Sequence, residues 1–306
     1  MYDFIIPRES RPMIHTRRFE IKLGDSTPRY WFDGNPWATH LLNAMSCVFP
    51  GGERYFMESV LAYQSQIEDP ALKRDVRHFC GQEAVHGQQH ELLNAWLDRY
   101  ELGTRQLTEE IEVSIKERTT RLLPPILRLS ETAGLEHITA IMGAALLQNP
   151  EMLSRISPDV RPLWIWHALE EIEHKAVAFD VFEAVGGSYF QRALGFALGT
   201  LGLALTTTIT MITLLWRDRQ LFNVAAAAGL VRLLVRSGYL RTLARSYFQY
   251  YQRNFHPWRV DDRQLMAQAV KDIAPYVKGG AKGSRREAHK EATLVSGPWA
   301  PAAGSR

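Results

Sequence analysis

The sequence predicts an all-α fold, a four-helix bundle followed by further C-terminal helices, and three observations carry that expectation. Apolar residues recur at three-to-four spacing along long segments. No run of alternating β-branched residues competes with them. Between residues 50 and 186 the segments are separated by Pro- or Gly-bearing turns, the punctuation of a bundle with short connections. A chain of 306 residues with 46% hydrophobic content can bury a sizeable core.

Residues 1–34 read as a polar, irregular arm. Asn35-Pro36 then supplies an N-cap followed by Pro at the first helical position, so a helix starts there. Phe49-Pro50-Gly51-Gly52 is expected to interrupt it, with resumption from Glu53 to about Gln66. Asp69-Pro70 repeats the start signal and opens a second helix, which Leu102-Gly103 ends. Thr108 to Leu122 is charged and amphipathic, and Pro124-Pro125 bends the chain into a helix that continues to Gln148 before Asn149-Pro150. Ser157-Pro158 is expected to start the fourth core helix, ending near Gly186-Gly187. The resulting division is an arm at 1–34, a helical bundle at 35–190, apolar and arginine-rich helices at 191–275, and a tail at 276–306 whose composition predicts disorder.

Lys plus Arg number 36 against 33 Asp plus Glu, and a net charge of +3 gives no footprint for nucleic acid. Cys47 and Cys80 are too few for a disulfide scaffold and lack the paired spacing of a zinc-thiolate site, which suits a reducing compartment. No apolar stretch backs the charges of the first twenty residues, so no secretory signal is expected and the bundle is placed in the cytoplasm.

The chemistry is concentrated in two Glu-x-x-His pairs, Glu83/His86 and Glu171/His174. At about 100° per residue, an i, i+3 pair lies within about 60° on one helical face, so each pair aims a carboxylate and an imidazole at one point. His167, four residues before Glu171, joins the stripe of His174, while Glu173 points away. A dinuclear bundle also takes one Glu from each of the other two helices, and Glu53 and Glu136 are the candidates. The expected grouping sets Glu83 and His86 on one side, and Glu171, His174 and His167 on the other, with Glu53 terminal and Glu136 bridging. Thr132, Ala133, Thr139, Ala140 and Gly143 surround Glu136 with small side chains that leave room for ions and a guest. Mixed oxygen and nitrogen ligands suit iron or manganese better than magnesium or calcium. His90, a turn beyond His86, is expected to hydrogen-bond a ligand from outside the site. His40, His78 and His137 fall off the ligand faces, and Cys80 reads as a small buried hydrophobe.

The order Glu53, Glu83-x-x-His86, Glu136, His167-x-x-x-Glu171-x-x-His174 resembles the seven-ligand pattern of the ferritin-like di-iron oxygenases typified by para-aminobenzoate N-oxygenase. That resemblance, confined to about residues 50–180, implies a ferritin-like bundle holding two iron ions, with manganese or zinc as alternatives. It also implies O2-dependent oxidation of a small apolar or aromatic substrate, with an electron donor as partner. The wider sequence, including GGERYFMESV, HFCGQEAVHGQQH, ETAGLEHITA and HALEEIEHKAVAFDVF, resembles the bacterial family of predicted metal-dependent hydrolases. This second resemblance implies hydrolysis by metal-activated water. A non-catalytic metal-binding bundle is the third class.

Residues 194–216 carry no charge over 23 positions, long enough to cross a hydrocarbon core of about 30 Å. Arg217, Arg219, Arg232, Arg236, Arg241, Arg245, Arg253 and Arg259 follow, opposed before Asp261 by Asp218 alone. Two readings stand: a helix inserted in or lying on the inner membrane face, or a helix buried in the core or against a second copy of the chain.

Overall fold

A computed structural model describes residues 5–277. Helix is the regular structure of these residues, and two isolated antiparallel bridges, Phe19 with Val277 and Phe32 with Ile156, are their only β pairing. The 276–306 tail lies almost wholly outside the described residues.

Helices α1 (Pro36–Leu61), α2 (Pro70–Leu97), α3 (Thr104–Leu122) and α4 (Pro125–Leu147) follow in order. Asn35 Oδ1 accepts from Ala38 N at 3.0 Å and Asp69 Oδ1 from Ala71 N at 2.8 Å, so the Asn-Pro and Asp-Pro start signals work as caps. The expected break at residues 49–52 does not occur, because α1 runs through Pro50 without interruption. Proline removes the N–H that would reach the Ser46 carbonyl, and Asn94 of α2 replaces it, donating Nδ2 to Ser46 O at 2.9 Å. Gly51 serves contact between helices: a Cβ there would lie 2.9 Å from the Glu112 Cα of α3. A sequence that reads as a helix stop is thus a helix-packing device.

The fourth core segment also differs. Asn149-Pro150 opens a short helix of its own, α5 (Pro150–Arg155), and residues 157–160 form a turn before α6 (Arg161–His174). The helix expected to continue to Gly186 breaks at Lys175-Ala176 and resumes as α7 (Val177–Ala184). The break coincides with buried Lys175, whose ammonium donates to Asp262 at 2.6 Å and to the Val260 carbonyl at 2.9 Å. Helices α1, α2, α4 and α6 enclose the bundle interior, with α3 packed outside on α1.

Helix α8 (Tyr189–Arg217) lies along α4 and α1. A Cβ on Gly195 would come within 2.7 Å of the Glu131 backbone nitrogen, so this glycine brings α8 against the main chain of α4. Only 22% of the most apolar stretch of α8 is buried, which makes it an outer wall and not a central core helix. Helices α9 (Val224–Arg236), α10 (Tyr239–Gln249) and α11 (Arg263–Ile273) complete the described fold. The arm is irregular apart from one short turn at Arg8–Ser10, yet it is packed: Ile6, Ile14, Phe19, Trp31 and Phe32 are buried, and Phe19 stacks on Trp166 at 4.6 Å.

Replacing Asn94 by Leu leaves the Ser46 carbonyl without a donor beside Pro50. Chemical denaturation is expected to show a loss of about 1–3 kcal/mol, the cost of one buried unsatisfied polar group.

Candidate metal centre

All seven sequence-selected residues meet inside the bundle. Glu53 comes from α1, Glu83 and His86 from α2, Glu136 from α4, and His167, Glu171 and His174 from α6, and none is more than 5% exposed. Two compact groups form: Glu53, His86 and His167 present ligand atoms to one point, and Glu83, Glu171 and His174 to another. This division corrects the expected one, since Glu83 and His86 fall in different groups and His167 joins Glu53 and His86, apart from Glu171 and His174. Helical geometry allows the split on α2: residues three apart differ by about 4.5 Å in height, enough to put Glu83 and His86 at different levels of the bundle.

Glu171 spans both groups. Its Oε1 lies 3.2 Å from His167 Nε2 and 3.4 Å from His86 Nδ1, and its Oε2 lies 3.6 Å from His174 Nε2. Glu136 Oε2, in contrast, is 3.2 Å from His174 Nε2 and sits at the end of the second group. The carboxylate that lies between the two groups is therefore Glu171, whereas Glu136 contacts a histidine of the second group only. Glu83 Oε1 is the other oxygen between histidines, 3.1 Å from His174 Nε2 and 3.9 Å from His86 Nδ1.

Each inward-facing imidazole is fixed by a partner on its outer nitrogen. Glu170 Oε2 is 3.2 Å from His86 Nε2, Gln82 Oε1 accepts from His174 Nδ1 at 2.9 Å, and His90 Nε2 is 2.9 Å from His167 Nδ1. Ser46 Oγ continues the last chain, 2.9 Å from His90 Nδ1. Arg17 from the arm ties two of these partners together, donating to Glu170 at 3.1 Å and to Glu173 at 2.7 and 2.5 Å, while Gln82 Nε2 donates to Glu173 at 2.9 Å. His90 meets its sequence expectation. Gln82, Glu170 and Arg17 escaped sequence reasoning: the first two adjoin ligands but lie off the ligand stripe, and Arg17 is 153 residues from Glu170. His40 pairs with Asp218 at 2.8 Å, and His137 Nε2 is 3.1 Å from the Ser246 carbonyl, both away from the centre.

The unsatisfied atoms test whether cations fit. Both oxygens of Glu53, Glu83 and Glu136, together with Glu171 Oε2, His86 Nδ1 and His174 Nε2, are buried without a hydrogen-bond partner. Such concentration is costly in a folded core unless the atoms are ligands. The orphaned atoms are oxygens and imidazole nitrogens on the inward side, a donor set suited to first-row transition metals.

The electrostatics agree. Burial pushes Glu53 up to about 8 and Glu136 up to about 7, and holds Glu83 well above the carboxylate range. Burial also lowers His167 to about 4, with the charge of His86 adding to it. For His86 and His174 burial is outweighed by the surrounding carboxylates, and both are raised. Glu171 is held well below its usual range, the charge of His174 and contacts with His167, His174 and His86 overcoming desolvation. Protons thus occupy the metal-free site. Burial raises both thiols, Cys47 and Cys80, to about 12, so neither is a nucleophile.

Two cavities meet at His167 and Glu171. One of about 390 Å³ is almost wholly apolar, running from these residues past Phe49, Met142 and Leu146 to α8, α9 and α10. A smaller one of about 210 Å³ reaches Glu53, His167 and Glu171 from the side of α3 and α8, passing Ser114 and Arg118.

Because metal ligation requires deprotonated ligands, loading should release the protons of Glu53 and Glu136. Affinity should rise by about tenfold per pH unit for each carboxyl still protonated, Glu136 up to about 7 and Glu53 up to about 8, and level off above that as far as these two are concerned. Metal titration in weak buffer with a pH indicator measures this. Without metal the sign for stability is opposite: the contribution of these two carboxyls is complete below about 4.5 and is lost as pH rises through about 7 and about 8. Replacing Gln82 by Leu removes the acceptor on His174 Nδ1 and is expected to weaken metal binding by about 10–100-fold while the fold is retained, read by competition with a chelator.

No curated protein and no solved structure was found to match the chain. The model of one family, described as predicted metal-dependent hydrolase, matches residues 15–261, a span containing every residue of the centre and its outer partners. The chain therefore belongs to the family of predicted metal-dependent hydrolases.

Proposed function

We propose that this protein is a hydrolase working through two metal ions held by Glu53, Glu83, His86, Glu136, His167, Glu171 and His174. The observation that carries the reading is the set of uncommitted buried carboxylate oxygens and imidazole nitrogens, split into two groups with Glu171 between them. When bound, a metal pair polarises a carbonyl or phosphoryl oxygen and makes water a nucleophile near neutral pH. The chain's own residues do the rest. Glu170, Gln82 and His90 fix the imidazoles from behind, so the inward nitrogens stay aimed at the centre. The larger cavity receives the apolar part of a substrate against His167 and Glu171, and the smaller one, with Ser114 and Arg118 on its wall, gives water a separate approach. Thr139, on the walls of both cavities, donates its hydroxyl to the Glu136 backbone carbonyl at 3.1 Å. The bundle is placed in the cytoplasm, which free Cys47 and Cys80 suit.

A second reading is O2-dependent oxidation by a di-iron centre, with an electron donor as partner. Three imidazoles among four carboxylates, opening into an almost wholly apolar chamber, favour it.

Elemental analysis after metal loading should give about two ions per chain, and His86→Ala and His174→Ala should each lose at least one. Full occupancy in both variants refutes the assigned ligands. Cleavage of p-nitrophenyl esters or phosphoesters by the zinc or manganese form, abolished in these variants, supports hydrolysis. Uptake of O2 by the ferrous protein with no cleavage by any metal form replaces it with the oxidative reading.

A further inference from the structure

Resting on the dinuclear reading above, we infer that the substrate carries a long aliphatic chain, which enters the 390 Å³ cavity from a lipid surface against which α8, α9 and α10 lie. The cavity lies within the ~300–1,000 Å³ range of small-molecule sites. Its walls are apolar save for a few threonine and tyrosine hydroxyls until they reach His167 and Glu171. A guest with polar groups along its length would lose their hydration without compensation. An alkyl chain loses nothing, and it leaves its polar end at the metal centre.

The mouth identifies the source. Ala204 and Thr208 of α8 and Leu240 of α10 line the cavity and are also exposed, so it opens between these helices. Beside the mouth, α8 turns an apolar stripe outward: Leu201 is 57% exposed, Leu205 54%, Ile209 64% and Trp216 69%. Val231 and Val235 of α9, Phe248 of α10 and Phe222 between α8 and α9 are exposed as well. Contiguous apolar surface continuous with an apolar cavity is a surface built to be covered.

Charge selects the cover. No aspartate or glutamate occurs in α8, α9 or α10. Arg219, Arg232, Arg236, Arg241 and Arg245 are exposed, and none makes an ion pair among the described residues. A second copy of the chain would bring the same cations against themselves under two-fold symmetry. Anionic phospholipid supplies both missing complements, acyl chains for the stripe and phosphates for the guanidinium groups. The helix is laid along the bundle by its Gly195 and Leu214 face, which places it in the plane of such a surface and not across it.

The test uses the full chain, metal-loaded, with its metal content measured in every sample. cis-Parinaric acid, whose fluorescence rises in apolar surroundings, should bind and be displaced by hexadecanoate but not by butyrate. Ala204→Trp, which plugs the mouth away from every ligand, should weaken it at least tenfold with metal content unchanged. Vesicles of phosphatidylglycerol and phosphatidylcholine should retain the protein, and vesicles of phosphatidylcholine alone should retain it at least tenfold less. The double variant Leu205→Glu, Ile209→Glu should lose vesicle binding and keep its metal. Failure of parinaric acid to bind, or undiminished binding by Ala204→Trp, overturns the aliphatic guest. A stable dimer that the double variant dissociates, with no vesicle binding by the wild type, overturns the lipid surface. A protein that takes up no metal refutes the dinuclear reading itself, and that result is separate from both.

Discussion

Glu53, Glu83, Glu136 and Glu171 lie within a space from which the surrounding helices exclude water, and every feature near them answers the cost of putting them there. Ionised carboxylates a few ångströms apart in a weakly screening interior repel one another, and desolvation adds several kcal/mol for each. Protonation is one answer, visible in the upward displacement of Glu53, Glu83 and Glu136 by burial. Positive charge is the other. His86 and His174 supply part of it without metal, while Glu171 remains ionised between them. Metal cations would replace these protons at the same place, so ligation and proton release are two descriptions of one balance.

A centre that holds protons or cations alternately needs side chains that stay put through the exchange. The outer layer provides this by fixing the far nitrogen of each histidine, with Glu170, Gln82 and His90 as the three partners. Arg17 makes the layer continuous, because Glu170 and Glu173 would otherwise be two further buried carboxylates with too little compensation. The arm that carries Arg17 is thereby part of the site. Its Phe19 stacks on Trp166, whose ring meets the edge of His86 at 4.7 Å. An irregular segment can hold this position because its apolar side chains are buried even where its backbone forms no regular element.

The meeting of these residues was legible in the sequence because spacing survives in one dimension: Glu83 and His86 share one helical stripe, and His167, Glu171 and His174 another. The all-α class was legible for the same reason. What escaped was fixed by contacts distant in sequence. Pro50 read as a helix stop because nothing near it reveals that Asn94 will take the Ser46 carbonyl. The division of ligands between two points depended on relative helix heights, which periodicity does not encode. Glu170 and Glu173 gave no signal as outer partners, since an acidic residue beside a ligand stripe is equally consistent with a solvated face. Only the arrival of Arg17 across the fold distinguishes the two.

Helix α8 explains why the apolar segment resisted assignment from sequence. Its inward face, with Gly195, Gly199 and Leu214, has the small and apolar residues of a packed helix, and its outward face has those of a lipid-facing one. The two readings describe opposite sides of one element. A helix that is apolar all round is ordinarily buried all round, and α8 is not. The same residues that close one wall of the bundle therefore open an almost wholly apolar approach to His167 and Glu171. Wall and entrance are inseparable here: a charged outer face on α8 would give better solubility, but it would place desolvation at the mouth of the path that an apolar guest must take.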